Sequence, residues 1–361
     1  MTPRERETSA CGPQQESTDI NLKELASFLD RVLPGGVAGD LSASLIGGGR
    51  SNPTYRLADD EHVWVLRRPP YGHVLPSAHD MKREFTVISA LGGTTVPVPR
   101  AVYLCEDESV LGATFYLMEL VDGIPVGTVE QASALTAGER RRLGLDLADT
   151  LAALHDIEPG AVGLGGFGRP DGYLERQLGR WTQQWEASRA AELPEVAVLL
   201  DTLRRALPET RYPGIVHGDV KLDNVLVSRQ DRGRIAAVLD WEMATLGDTL
   251  ADVGSMLGFW DVPGMTHNPI TRGLATLDGF PARAELLERY ATTRGIDLLE
   301  IDWYTVFADF KLAVILQGIG ARHAQGETVG EGFDGIAGMV VPLLQHALDL
   351  TAASSVPELR R

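Results

Sequence analysis

The sequence predicts an α+β chain in two lobes, an antiparallel sheet in the N-terminal third and a mostly helical remainder. Three observations predict it. Short strand-like runs alternate with turn residues as far as residue 123, apolar residues recur at helical spacing after residue 136, and a polar cluster is set between two apolar runs at residues 212–240. A chain of 361 residues with 44% hydrophobic content is long enough to bury a core in each lobe. Residues 1–18 are expected to be a disordered tail, 19–123 the N-terminal lobe with a hinge at 118–123, and 124–361 the helical lobe.

In chain order, residues 1–18 are polar, carry Arg4, Glu5, Arg6 and Glu7, and lack the apolar centre of a signal peptide. Residues 41–46 read as a strand, Gly47-Gly48-Gly49-Arg50-Ser51-Asn52-Pro53 as a turn, and 54–57 as the returning strand. Glycines let the backbone approach a phosphate closely, so Gly47, Gly48, Gly49 and Ser51 are candidate nucleotide contacts. The turn lacks Gly-x-Gly-x-x-Gly spacing and reads also as a plain hairpin turn. Residues 62–67 alternate as a strand that puts Arg67 on the face of Val63 and Val65. Residues 78–91 form a helix with Met81, Phe85 and Ile88 on its apolar face, which turns Glu84 inward toward a cation. Residues 102–105 and 113–120 make a further hairpin around Glu106-Asp107-Glu108.

The helical lobe opens on a capping box, Thr136-Ala137-Gly138-Glu139, followed by Leu143, Leu147, Leu151 and Leu154. His155 reads as a packed or capping histidine. Residues 281–294 form a helix with Pro281 in its first turn and Gly295 at its end, and 301–324 and 333–350 read as amphipathic helices.

The polar cluster is His217-Gly218-Asp219-Val220-Lys221-Leu222-Asp223-Asn224, followed by Val238-Leu239-Asp240-Trp241-Glu242. Residues 225–228 and 235–239 read as a hairpin, which brings Asn224 at one strand's start to Asp240 at its partner's end. Phosphoryl transfer needs this set: a carboxylate beside the attacking hydroxyl and oxygen ligands for Mg²⁺. Asp219 is the candidate base, with Asn224 and Asp240 as metal ligands. His217 reads as an orienting residue. Glu242, sharing strand parity with Asp240, is either a further metal-site carboxylate or an acceptor behind it. Asp248 and Asp252 read as cap and fold-holding groups of the helix that follows.

At His217, Gly218, Asp219 and Asn224 the chain resembles the aminoglycoside phosphotransferase family of the protein-kinase-like superfamily. Gly218 and Trp241-Glu242 stand where protein kinases carry Arg and Phe-Gly, so the small-molecule branch is favoured. The resemblance implies a bilobal protein-kinase-like fold, ATP and Mg²⁺ as cofactors, and Arg67 with Glu84 in the place of a strand Lys and helix Glu, where a purely structural ion pair is the alternative. It also implies that Lys221 neutralises the transferring phosphate, unless it is a solvated lysine, and that backbone near Glu119 and Val121 bonds the adenine. Gly49-Arg50-Ser51-Asn52-Pro53-Thr54-Tyr55, Val65-Leu66-Arg67-Arg68-Pro69-Pro70 and Gly165-Gly166-Phe167-Gly168-Arg169-Pro170-Asp171-Gly172-Tyr173 are most similar to the kinase-like domains fused to acyl-CoA dehydrogenases. That subgroup implies a hydroxy acid or hydroxyacyl-CoA acceptor, with Tyr173, Arg176, Trp181, Trp185 and the 260–271 loop as candidate lining, or Trp181 and Trp185 as packing. The rival expectations are a resistance kinase acting on aminoglycosides and a nucleotide-binding pseudokinase scaffold.

A net charge of −17 with no clustered basic face speaks against a nucleic-acid partner. No apolar run is expected to reach the ~20 residues that span a bilayer, which speaks against a membrane protein. Cys11 and Cys105 form no disulfide or metal framework, and a reducing cytoplasm is the expected compartment.

Overall fold

Alternating apolar residues build the strands β1 (Ser42–Leu45), β2 (Thr54–Ala58) and β3 (Val63–Arg67), paired antiparallel in sequence order. The computed structural model describes residues 20–46, 52–70, 80–189, 191–261, 270–326 and 335–360; Gly47, Gly48, Gly49 and Ser51, and residues 1–18, lie outside these. After α2 (Met81–Leu91) come β4 (Ala101–Cys105), a short α3 (Glu108–Leu111) and β5 (Phe115–Glu119). The sheet runs β1-β2-β3-β5-β4, antiparallel throughout. One face packs Leu57, Leu66, Phe115 and Leu117 against Leu25 and Leu29 of α1 (Leu22–Val32). Helix α1 was not anticipated, although Asn21 caps it by accepting from the Glu24 amide.

The other face carries Val65, Arg67 and Tyr116, and there the expected ion pair forms. Arg67 Nη1 lies 3.3 Å from Glu84 Oε1, and the Glu84 side chain is 1% exposed. The Phe85 ring meets Tyr116 edge-on.

Contacts divide the chain into two compact units, residues 1–85 with 101–120 and residues 86–100 with 121–361. In the second, β6 (Gly123–Pro125) and α4 (Val129–Ser133) lead to α5 (Ala137–His155), which starts on the expected capping box: Thr136 and Glu139 bond each other's backbone amides. Then follow α6 (Tyr173–Ser188), α7 (Pro194–Arg205), β7 (Pro213–Val216), β8 (Val225–Ser228), β9 (Ile235–Val238) and β10 (Thr245–Asp248). Strands order as β6-β8-β9 and β10-β7. Helices α8 (Leu250–Gly258), α9 (Arg283–Arg294), α10 (Ile301–Ala324) and α11 (Val340–Ala353) complete the unit.

Helix α10 departs from the amphipathic expectation. Nearly all of its residues from Trp303 to Leu316 are buried, Lys311 and Ile315 being partly exposed, because α6, α8 and α11 all pack against it. It and residues 336–353 are long and apolar enough to cross a membrane by length and composition, contrary to the expectation that no run would be; more than half of the α10 window is buried inside the protein, as in a core helix. The final helix also begins later than expected, at Val340 after a 3₁₀ turn from Ile336 to Met339.

Buried Asp248 ties α8 to α10. Its Oδ1 accepts from the Leu250 amide at 3.0 Å and its Oδ2 from the Tyr304 hydroxyl at 2.8 Å. Burial raises its carboxyl from the ordinary 3.8 to about 6, the hydrogen bonds opposing only in part. A carboxyl raised on folding contributes stability below its unfolded pKa and loses it as pH rises through the folded value. Asp248→Asn, which has no proton to lose, is therefore expected to gain on the parent protein between pH 4 and pH 8, by up to roughly 3 kcal/mol. Thermal melts of both proteins across that range check it; a constant difference rules out burial of the charge as the cause.

Candidate active site

The loop from His217 to Lys221 joins β7 to a 3₁₀ turn, Leu222–Asn224, that feeds β8. Strands β8 and β9 pair with Val225 opposite Val238, and the Leu239 amide donates to the Asn224 carbonyl at 2.8 Å. The hairpin thus brings Asn224 beside Asp240, as its turn residues predicted. Asp240 has φ 65° and ψ 63°, a left-handed conformation that costs a non-glycine residue on the order of 1 kcal/mol or more. Such strain gathers where a side chain must be aimed.

Asp219 stands at the centre. Its Oδ2 accepts from Lys221 Nζ at 2.8 Å and from Asn224 Nδ2 at 2.9 Å, and its carbonyl accepts from the same Asn224 nitrogen at 2.9 Å. Burial works to raise the carboxyl, yet Lys221 and Lys311 outweigh it and hold Asp219 below the usual carboxylate range. The side chain keeps 21% of its surface exposed, so it is ionised, oriented and open to an incoming group. Lys221 is no solvated lysine. Its side chain is 17% exposed, and its ammonium lies 5.3 Å from the Phe259 ring centroid.

The loop backbone is held from behind. The His217 and Gly218 amides donate to the two oxygens of Asp252 on α8, at 2.6 and 2.8 Å. His155 Nε2 reaches the same carboxylate at 3.2 Å, and its Nδ1 lies 2.7 Å from the Tyr290 hydroxyl. Burial holds His155 below the usual histidine pKa, while its hydrogen bonds hold Asp252 below the usual carboxylate range against burial. Gly218 has φ +88°, and a Cβ there would lie 2.9 Å from Met243 Cβ and its carbonyl oxygen, so glycine alone fits. His217 is an orienting residue, as expected. Its Nδ1 accepts from the Asp219 amide at 3.2 Å, so Nε2–H donates to the Leu239 carbonyl at 3.0 Å, and neither nitrogen is left to act as a base.

The donor set suits Mg²⁺. The Asn224 amide nitrogen is committed to Asp219, so its side-chain oxygen is the atom that could ligate a cation, and the Asp240 carboxylate, close enough to act on the Lys221 ammonium, could offer a second oxygen. Among the described residues no cluster of three or more His, Cys, Asp or Glu forms a closed metal cage.

The parity reading of Glu242 fails. Strand β9 ends at Val238, Asp240 turns the chain left-handed, and Trp241–Met243 is a 3₁₀ turn, so the two carboxylates share no strand face.

Residues 42–295 match the family model APH, described as the phosphotransferase enzyme family. The chain belongs to this family. Among its relatives, acyl-CoA dehydrogenase family member 11 of Rattus norvegicus is 34% identical over 98% of the chain and 46% of that protein, and family member 10 of Mus musculus is 35% identical over 87% and 30%. The chain thus spans less than half the length of these curated relatives. A crystal structure of a proposed aminoglycoside phosphotransferase from Ralstonia eutropha JMP134 is 32% identical with a TM-score of 0.78, covering 91% of this chain and 97% of that one. A ternary complex of a thermostable aminoglycoside phosphotransferase APH(4)-Ia with AMP-PNP and hygromycin B shares the fold at 16% identity, TM-score 0.59, covering 89% and 98%. The fold is therefore the kinase-like α+β fold of this family.

Glu119 ends β5 of the first unit, and Val121 begins the longer stretch of the second. Trp185 is packed in the core, and the Trp181 face carries the ammonium of Lys311 at 5.5 Å, so packing is the main task of both. Arg176 bonds the carbonyls of Arg169 and Asp171, and Tyr173 is buried against Gly247. Residues 262–269 of the candidate acceptor loop lie outside the described residues. Sequence reasoning missed Lys311, whose Nζ donates to the Gly218 carbonyl at 2.8 Å. Its signal was a lone lysine in the apolar run Phe310-Lys311-Leu312, outside the family-matched stretch.

Proposed function

We propose that this phosphotransferase moves the γ-phosphoryl group of ATP to a hydroxyl of a small molecule, a hydroxy acid or hydroxyacyl-CoA. The Asp219 carboxylate carries the reading: it is ionised, partly exposed, and fixed by Lys221 and Asn224. It accepts the hydroxyl proton as the oxygen–phosphorus bond forms and the bond from phosphorus to the ADP oxygen breaks. Lys221 offsets charge on the transferring group. Asn224 and Asp240 would hold Mg²⁺, which when bound neutralises the phosphates. The Arg67–Glu84 pair is assigned to the nucleotide phosphates, its low exposure favouring a fixed cation.

ATP as donor is supported by relatives of the same fold solved with AMP-PNP, ADP or ATP. The acceptor class is supported by the 34% identity to acyl-CoA dehydrogenase family member 11 over nearly the whole chain, a level matched by the Ralstonia eutropha structure, which is why aminoglycosides belong in the test. The test is Mg²⁺-ATP-dependent ADP release across hydroxy acids, hydroxyacyl-CoAs, amino alcohols and aminoglycosides, with Asp219→Asn as the blank. Release stimulated by the hydroxy acids or their thioesters and lost in the variant supports the proposal. Stimulation by aminoglycosides alone overturns the acceptor class, and saturable ATP binding with no product from any acceptor points to a nucleotide-binding scaffold.

A further inference from the structure

Both backbone polar groups of Gly218 end on charged side chains from different helices. Its amide donates to Asp252 of α8 at 2.8 Å, and its carbonyl accepts from Lys311 of α10 at 2.8 Å. The carbonyl belongs to the peptide plane that joins Gly218 to Asp219. A glycine with φ +88° has no side chain to define that plane, and its rotation swings the Asp219 carboxyl away from Lys221 and Asn224. The Asp219 amide holds one side of that plane by donating to His217 Nδ1 at 3.2 Å, and the carbonyl on the other side takes its hold from Lys311.

Lysine suits the task. Its flexible stem reaches from a core helix along Trp181, whose ring centroid lies 5.5 Å from Nζ, and its ammonium makes a charge-assisted hydrogen bond, roughly twice as strong as a neutral one. The charged groups that act on it are Asp219, Lys221, Asp252 and Arg180. Burial lowers its pKa, while the Asp219 and Asp252 carboxylates favour its charged form.

We propose that Lys311 is a positioning residue for phosphoryl transfer, fixing the Gly218–Asp219 peptide and through it the aim of the base. This rests on the assignment of Asp219 in the preceding section. Lys311 need not touch either substrate.

The test compares Lys311→Met, which removes donor and charge, with Lys311→Gln, which keeps a shorter donor, and with Lys311→Cys alkylated by 2-bromoethylamine. In the last, the thiolate displaces bromide and rebuilds the side chain with sulfur in place of one methylene; wild type treated alike controls for Cys11 and Cys105. The readout is Mg²⁺-ATP hydrolysis with water as the accepting hydroxyl, together with ATP affinity and thermal melting. Lys311→Met is expected to lower kcat by roughly 10²-fold with ATP affinity unchanged, Lys311→Gln to fall between, and alkylation to restore turnover. Wild-type turnover in Lys311→Met, or a loss that alkylation leaves untouched, overturns the proposal. If Lys311→Met does not fold, Lys311→Gln is judged the same way. Asp219→Asn run in parallel separates the two readings: its full activity defeats the assigned reaction, whereas its inactivity beside a wild-type rate in Lys311→Met defeats only the positioning role.

Discussion

Asp219→Asn is expected to bind Mg²⁺-ATP as the parent protein does and to turn over roughly 10²–10⁴ times more slowly. The substitution keeps size and shape, so the loop held by Asp252 and Lys311 has no reason to move. What changes is the atom facing the acceptor. Lys221 and Asn224 both donate to Asp219 Oδ2, and an amide oxygen can accept from them, but an amide neither takes the hydroxyl proton nor balances the Lys221 charge. A loss of that size is about 3–5 kcal/mol of transition-state stabilisation, the amount a positioned base supplies. ATP affinity by calorimetry and kcat with the acceptor found by screening check both halves. Undiminished turnover removes Asp219 from the mechanism, and lost ATP binding shows that the variant fails before the chemical step.

The parts of the site that the sequence disclosed are those encoded locally. Asn224 and Asp240 were legible together because turn residues between two apolar runs define a hairpin, and a hairpin fixes which ends meet. Arg67 and Glu84 were legible because strand alternation and helical spacing each point one residue inward, and two inward opposite charges must find each other. Glu242 was misread for the converse reason: parity holds only while the chain stays extended, and nothing local announced that Asp240 would turn left-handed. Lys311 lies 93 residues from the carbonyl it holds, and no period relates them. Helix α10 was misread as amphipathic because its burial comes from the helices around it and not from its own pattern. The fold class follows from local periodicities, whereas the grip on the 217–221 loop comes from tertiary packing.

The largest stability effect is expected at Asp252. Its carboxylate receives three buried donors, the amides of His217 and Gly218 and His155 Nε2, and Asp252→Ala leaves all three without their acceptor. An orphaned buried donor costs about 1–3 kcal/mol, and partial relaxation keeps the sum near 3–5 kcal/mol, a large part of the stability of an ordinary domain. The damage extends along a chain of bonds, since His155 is held by Tyr290, whose hydroxyl accepts from Arg294 at 3.2 Å, and Arg294 is anchored on Asp156 at 2.8 Å. Asp252→Asn is informative beside it. The asparagine oxygen can accept from one loop amide, but its NH₂ group must then face a second donor, so most of the loss should persist even though the shape is kept. Thermal melting gives the size of the effect, and hydrogen exchange over residues 213–220 its location: the amides of His217 and Gly218 should lose protection before the core of α5 does. Loss of protection confined to the loop, with kcat falling in step, would show that the base is aimed by a carboxylate that never meets the substrate. A variant that melts like the parent and keeps its loop amides protected would show that Asp252 does not hold the loop.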